Sequence, residues 1–206
     1  MFLRSFDVSG GATVEKEDKY KILSRVAGYG ECLENESEEA RSDKEIVLVA
    51  VADKGMALRY ASEELRNDKD VVIVAVTGDA YALEYASEEL RRDREVVLAA
   101  VSCNPHTLRY VALELRSNKE FMLSVLAIKG SALQFASEEL KNDREVVLAA
   151  VANNGMALEY ASEELKNNKD IVLAAVANKR YALEYASEKL QNDRDIIAAS
   201  NWYDGI

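Results

Sequence analysis

The chain is short of the residue types from which catalytic and metal sites are usually built. Its 206 residues include one histidine, one proline, one tryptophan and two cysteines. The cysteines, Cys32 and Cys103, stand far apart with no CxxC spacing, so neither a disulfide framework nor a zinc site is expected. Reduced thiols in a cytoplasmic, reducing compartment are the default. Apolar runs such as Val71-Val72-Ile73-Val74-Ala75-Val76 fall far short of the roughly 20 residues that a membrane-crossing helix needs, so no membrane insertion is expected. The start, Met1 to Phe6, lacks the sustained apolar stretch and small-residue cleavage site of a secretory signal. No run of lysine or arginine stands free of acids, and the net charge is -11. Phosphate backbones call for a basic stripe, so nucleic acid is not an expected partner.

Glycine-rich phosphate loops are missing as well, since Gly55, Gly130 and Gly155 are isolated. The lone histidine, His106, follows Pro105 and lies three residues after Cys103. A Cys-His pair can supply a thiolate nucleophile. No third orienting group or oxyanion element accompanies this one, so His106 reads as an exposed turn residue and the chain as a non-enzyme. No catalytic, cofactor-binding or metal-binding residue is assigned, and no cofactor is expected.

What the sequence has in abundance is repetition. Leu33, Leu58, Leu83, Leu108, Leu133, Leu158 and Leu183 recur at a constant step of 25 residues, with no insertion. Such a period marks a repeat architecture, an array and not a globule. Residues 1–17 do not fit it, and Ser9-Gly10-Gly11 suggests a flexible arm. The array spans 18–200, beginning with a half repeat and a polar copy around Leu33, and 201–206 form a C-terminal capping tail.

In the copy 56–80, Ala57, Leu58, Ala61 and Leu65 share one face at 100° per residue while Arg59 and Glu63 point away, which predicts an amphipathic helix, here helix A. Residues 71–76 are apolar without alternation, and a strand in a βα solenoid competes with a helix there. Three features favour the helix, here helix B. Asp68 and its counterparts (Asp43, Asp93, Asn118, Asp143, Asn168, Asp193) are always Asp or Asn, as an N-cap requires. An acid follows two residues later, at the positive end of the dipole. Alanine pairs such as Ala99-Ala100 form helices readily and strands poorly. Helix B is apolar all round and is expected to be buried between neighbours. Glycine or asparagine in the turns that follow matches a left-handed helix end. The expected fold class is all-α, a right-handed-type α-solenoid of tandem two-helix repeats with degenerate capping repeats at both ends.

The words Leu-Glu-Tyr-Ala-Ser-Glu-Glu-Leu, from Leu158 to Leu165, and Asn-Asp-Arg-Glu-Val-Val-Leu-Ala-Ala-Val, from Asn142 to Val151, resemble the repeats grouped as domain of unknown function 4116, found in protist and bacterial proteins. The resemblance covers roughly Asp18 to Ser200 and implies no activity and no catalytic residues. The chain departs from the pattern at both ends and around Pro105 to Ser124.

Each position of the period becomes a column along the array. Tyr60, Tyr85, Tyr110, Phe135, Tyr160 and Tyr185 read as a structural ladder with wet hydroxyls. The basic residues after each N-cap, from Lys44 to Arg194, and the glutamates beside the tyrosines read as a lattice of solvated and inter-repeat ion pairs. Specificity is expected where copies differ, which nominates Arg59, Tyr81, His106, Arg109, Leu113, Arg180, Tyr181 and Trp202 as partner-binding residues. Leu113 replaces the outward glutamate of other copies and is expected to form an apolar patch with Met122 or a partner surface there. The function expected is a non-enzymatic scaffold for protein-protein interaction, working through variable turns and outward faces. The alternatives are a structural accessory subunit of a larger multiprotein assembly and, third, a thiol-dependent enzyme using Cys103 and His106.

Overall fold

The computed structural model describes the backbone of residues 11–201 and the side chains of residues 18–200. Phe2, Leu3 and Phe6 of the expected arm, and Trp202 and Tyr203 of the expected tail, lie outside the described residues. The described residues form an all-α repeat solenoid with no strand among them. They fall into two compact units, residues 1–87 and 88–206, each taken by itself below. The first helix, Gly11–Gly28, begins inside the segment expected to be an arm.

Helix B forms where its signals place it. In unit 1 it runs Lys44–Asp53 and Lys69–Gly78; in unit 2 it runs Arg94–Cys103, Lys119–Ile128, Arg144–Asn153 and Lys169–Asn178, with Arg194–Asn201 at the end. The Oδ1 of Asp143 accepts from the N–H groups of Glu145 and Val146 at 2.9 and 3.1 Å, closing two of the four orphan donors of the first turn. As expected, helix B is buried between neighbours, Arg144–Asn153 packing against both Lys119–Ile128 and Lys169–Asn178, but its outer residues are only half-buried or exposed. Val71, Val72, Ala75 and Val76 are fully buried, whereas Ile73 and Val74 are half-buried and Thr77 and Gly78 exposed.

Helix A is not one helix. Residues Gly55–Tyr60 form a 3-10 helix, Ala61 and Ser62 are extended with ψ of 155° and 159°, and Glu63–Arg66 form a single α turn. Ser62 causes the break, because its Oγ accepts from the Leu65 N–H at 3.3 Å and caps a new helix whose first turn carries Glu63 and Glu64. The same three-piece repeat recurs at Gly155–Tyr160, Glu163–Lys166 and Lys169–Asn178. The core columns nevertheless match the wheel: Ala57, Leu58, Ala61 and Leu65 are all buried. Burial is set by which residues the two short pieces turn inward, and the serine break keeps them on one side.

No described residue adopts a left-handed backbone conformation, so the helix-end reading of the turn glycines is corrected. Helix B exits into an extended residue, such as Lys54 at φ -141° and ψ 102°, whose N–H bonds back to Ala50 at 2.9 Å. Glycine follows for lack of room. A Cβ on Gly155 would lie 2.3 Å from the carbonyl oxygen of Ala175 in the next helix B, and one on Gly55 would lie 2.3 Å from that of Ala75. The Gly155→Ala substitution is therefore expected to destabilise unit 2 by about 1–3 kcal/mol, as overpacking does. Gly78→Ala, whose Cβ would sit 3.7 Å from the nearest atom, should be neutral or stabilising by up to about 1 kcal/mol. Urea denaturation of both variants checks the pair, and equal effects would remove the close-approach explanation.

Candidate functional site

A binding surface is built from the residues that stacking does not use, so the stacking contacts come first. Successive repeats are joined at the start of helix B. Within each unit, the second carboxylate oxygen of an N-cap aspartate takes the lysine of the preceding repeat: Lys19 to Asp43 at 2.6 Å, Lys44 to Asp68 at 2.7 Å, Lys119 to Asp143 at 2.8 Å and Lys169 to Asp193 at 3.0 Å. The same ammonium reaches the first-turn acid, as Lys119 does to Glu145 at 2.8 Å. Where the cap is Asn118, Arg94 replaces lysine, reaches Glu120 at 3.5 Å and lies over the Phe121 ring at 5.8 Å. The expected inter-repeat ion pairs are present. Their acidic partners are the caps and first-turn acids, while the glutamates beside the tyrosines, such as Glu64 and Glu164, are exposed.

A second joint lies at the other end of helix B. Asn153 accepts from the Gly130 N–H at 2.7 Å and donates to the Ala127 carbonyl at 2.9 Å; Asn178 does the same for Gly155 and Ala152. These asparagines, which look like loose turn residues in sequence, clamp neighbouring repeats. Tyr60 of the tyrosine column forms a third joint. In unit 1 the Tyr60 hydroxyl donates to Glu34 at 2.9 Å, and the Arg59 guanidinium lies over the Tyr60 ring at 4.4 Å. The rings are half-buried, as the ladder reading requires.

The Lys119 ammonium, opposed by partial burial and helped by the Val146 and Glu145 N–H groups, holds the Asp143 carboxyl below the usual aspartate range. Lys169 acts in the same sense on Asp193. A depressed carboxyl contributes stability that is fully present above its unfolded value, near 4, and is lost as pH falls through the lower folded value. Asp143→Asn keeps the cap, since Asn168 already caps its helix through Oδ1, but removes the charge. The variant should melt lower at pH 7 and lose less of its melting temperature between about pH 5 and pH 2. An unchanged acid dependence would mean that this carboxylate does not link the repeats.

The nominated residues lie mostly at the edges of the 3-10 pieces. Arg59 and Tyr81 belong to unit 1, with Tyr81 36% exposed. His106 and Arg109 share the 3-10 helix Pro105–Tyr110, where Arg109 Nε donates to the His106 carbonyl at 3.2 Å. The His106 ring meets Phe135 edge to face with centroids 5.5 Å apart. Arg180 stacks on Tyr181 at 4.7 Å, and Tyr181 is 59% exposed. These two line a shallow cavity of about 310 Å3 with Leu183, Glu184 and Gln191. Leu113 is 58% exposed, but Met122 is fully buried, so the expected patch between them is corrected: Met122 occupies an inward position of its helix B. Trp202 lies outside the described residues.

Two grooves were not anticipated. One in unit 1, about 560 Å3, is lined by Glu38, Arg41, Ser42, Tyr60, Ser62, Glu63 and Arg66 among others. The other, in unit 2, about 250 Å3, is lined by Glu88, Arg91, Arg92, Tyr110, Val111 and Ala112. The signal for the second was legible: Arg92 stands in a column that is otherwise asparagine or serine.

Comparison with known proteins agrees with this geometry. The model of the family described as a domain of unknown function (DUF4116) matches residues 18–66, 43–91, 93–141, 118–166, 143–191 and 168–198, so that a full match spans two consecutive repeats. No curated protein and no solved structure matches the chain.

Proposed function

The chain belongs to the DUF4116 repeat family, and on that premise we propose that it is a non-enzymatic scaffold that binds another protein through the variable edges of its repeats. One observation carries the reading. The residues that recur in the copies, the N-cap aspartates, lysines, tyrosines and core leucines, are engaged between or within repeats, while exposed large side chains such as Tyr81, Leu113 and Tyr181 fall where copies differ. Repeat arrays present an extended surface of side chains that can vary without disturbing the core, and binding is their common use.

The test is cross-linking of the purified chain in native extract against a variant with Tyr81, Leu113 and Tyr181 changed to serine. One partner, held by the native chain and lost by the equally folded variant, is the expected result. A chain that runs alone at every salt concentration would remove the proposal.

Thiol chemistry is the reading from a different class. His106 is engaged with Phe135, which favours a structural use of the ring. Labelling at neutral pH should find Cys103, which is exposed, reacting at the rate of an ordinary surface thiol and ahead of half-buried Cys32. Acceleration of Cys103 by tenfold or more, abolished by His106→Ala, would support the enzyme instead.

A further inference from the structure

Each repeat, an A segment with the helix B that follows it, is held to the repeat before it at three places. The first is the pair between a lysine or arginine and the next cap or first-turn acid. The second is the clamp, in which a side chain at the end of helix B accepts from the N–H that opens its A segment: Asp53 from Gly30 at 2.8 Å, and Asn153 from Gly130 and Asn178 from Gly155 at 2.7 Å. The third joins A segments, where the N–H of the capping serine donates to the carbonyl 21 residues earlier: Ser62 to Arg41, Ser137 to Arg116, Ser162 to Lys141 and Ser187 to Lys166, at 3.0–3.4 Å.

One step of unit 2, from helix B Arg94–Cys103 to helix B Lys119–Ile128, lacks two of these and weakens the other. The clamp is missing on both sides: Pro105 has no N–H where Gly130 and Gly155 donate, and Ile128, 41% exposed, has no acceptor where Asn153 and Asn178 stand. Among the described residues, no hydrogen bond joins the Ala112 N–H to the Arg91 carbonyl. The cap is the neutral Asn118, which Arg94 reaches at 3.2 Å, with Glu120 at 3.5 Å, against 2.6–3.0 Å for the lysine–aspartate caps.

Other steps inside the units lose at most one contact among the described residues. From Lys44–Asp53 to Lys69–Gly78 the clamp goes with Gly78, but Lys44 holds Asp68 and Ser62 bonds to Arg41. From Arg144–Asn153 to Lys169–Asn178 the cap is Asn168, but Arg144 holds Asp170 at 3.0 Å, and the clamp and the serine bond both form. The last step, where Arg180 stands in the glycine column, keeps the Lys169–Asp193 pair and the Ser187 bond.

Spacing agrees with this. Fewer backbone positions of Arg94–Cys103 and Lys119–Ile128 come within 8 Å of each other than in any other pair of successive helices B inside a unit. What holds the step is mainly apolar. Phe121 stands where other copies carry Ile or Val, is fully buried, and lies under the Arg94 guanidinium. Hydrogen bonds fix direction as well as distance, whereas apolar burial is non-directional. A step held by burial can change its angle without the loss of bonds that the same motion would cost elsewhere.

We infer that this step is a hinge within unit 2: the repeats on its two sides change their mutual angle while Phe121 stays buried. A hinge at one defined step makes the curvature of unit 2 adjustable while its other steps stay fixed.

The test is electron-spin distance measurement on the full chain, freed of its own thiols by C32S/C103S, with nitroxide pairs at S102C/A152C and at A127C/A177C. All four sites are exposed. Each pair spans two helix-to-helix steps, roughly 20 Å in all, and only the first crosses the step without the clamp and the serine bond. Expected for the first pair is a distance distribution roughly twice as broad as for the second, because hinge motion adds to the local spread of the labels. The variant P105G/A112S/F121V/I128N takes the residues of the following repeat, Gly130, Ser137, Val146 and Asn153, and should narrow the first distribution to the width of the second. Equal widths in the native chain would overturn the inference. A broad first distribution that the folded variant leaves unchanged would overturn it too, since the motion would then have another origin. Should the variant not fold, the two pairs in the native chain decide the matter alone.

Discussion

Four capping aspartates of helix B each serve two repeats with their two oxygens. In Asp43, Asp68, Asp143 and Asp193, Oδ1 accepts the first free N–H groups of its own helix, and Oδ2 takes the ammonium of the repeat before. A residue that starts a helix locally is thereby tied to a position 24 residues back. An inserted residue between the two would break the pairing, which is a physical reason for a period that admits no slippage. Close approach imposes the same constraint at the far end of the helix, where glycine lets a carbonyl come near and asparagine fills the space beside it.

Much of this was legible in the sequence. Strict Asp or Asn followed by an acid is a helix start whatever lies around it, and the lysine beside it sets up a pair that the period brings into reach. The columns of the core were legible because burial follows periodic side-chain placement even when the backbone between two short pieces is extended. The break itself was also written, in Ser-Glu-Glu, but a capping serine inside an apolar pattern is easily read as one more polar face residue. Other features depend on parts of the chain that only folding brings together. Gly155 and Ala175 are distant in sequence, so the turn glycine looks like a left-handed helix end until the neighbouring carbonyl is in view. The role of Asn153 is hidden for the same reason, its partners being Gly130 and Ala127. Which apolar residues of helix B lie innermost was not legible, because Ile73 and Val74 are as apolar as Val71 and Val72, and only packing distinguishes them.

The candidate site divides in the same way. Leu113 was visible as a departure, and its exposure matches that reading. Its neighbour in the argument was misassigned: Met122 is buried in the core. Sequence variation marks where a repeat differs; which variable residues meet depends on the step between repeats.

The coupling of repeats through the capping carboxylate is tested most directly by a double-mutant cycle on Lys119 and Asp143, using Lys119→Met and Asp143→Asn and urea denaturation at low salt. The bond of 2.8 Å predicts that the double variant loses less stability than the two single losses combined, with the difference shrinking as salt is added. Strict additivity at low salt would contradict it, leaving the aspartate as a cap for its own helix and nothing more.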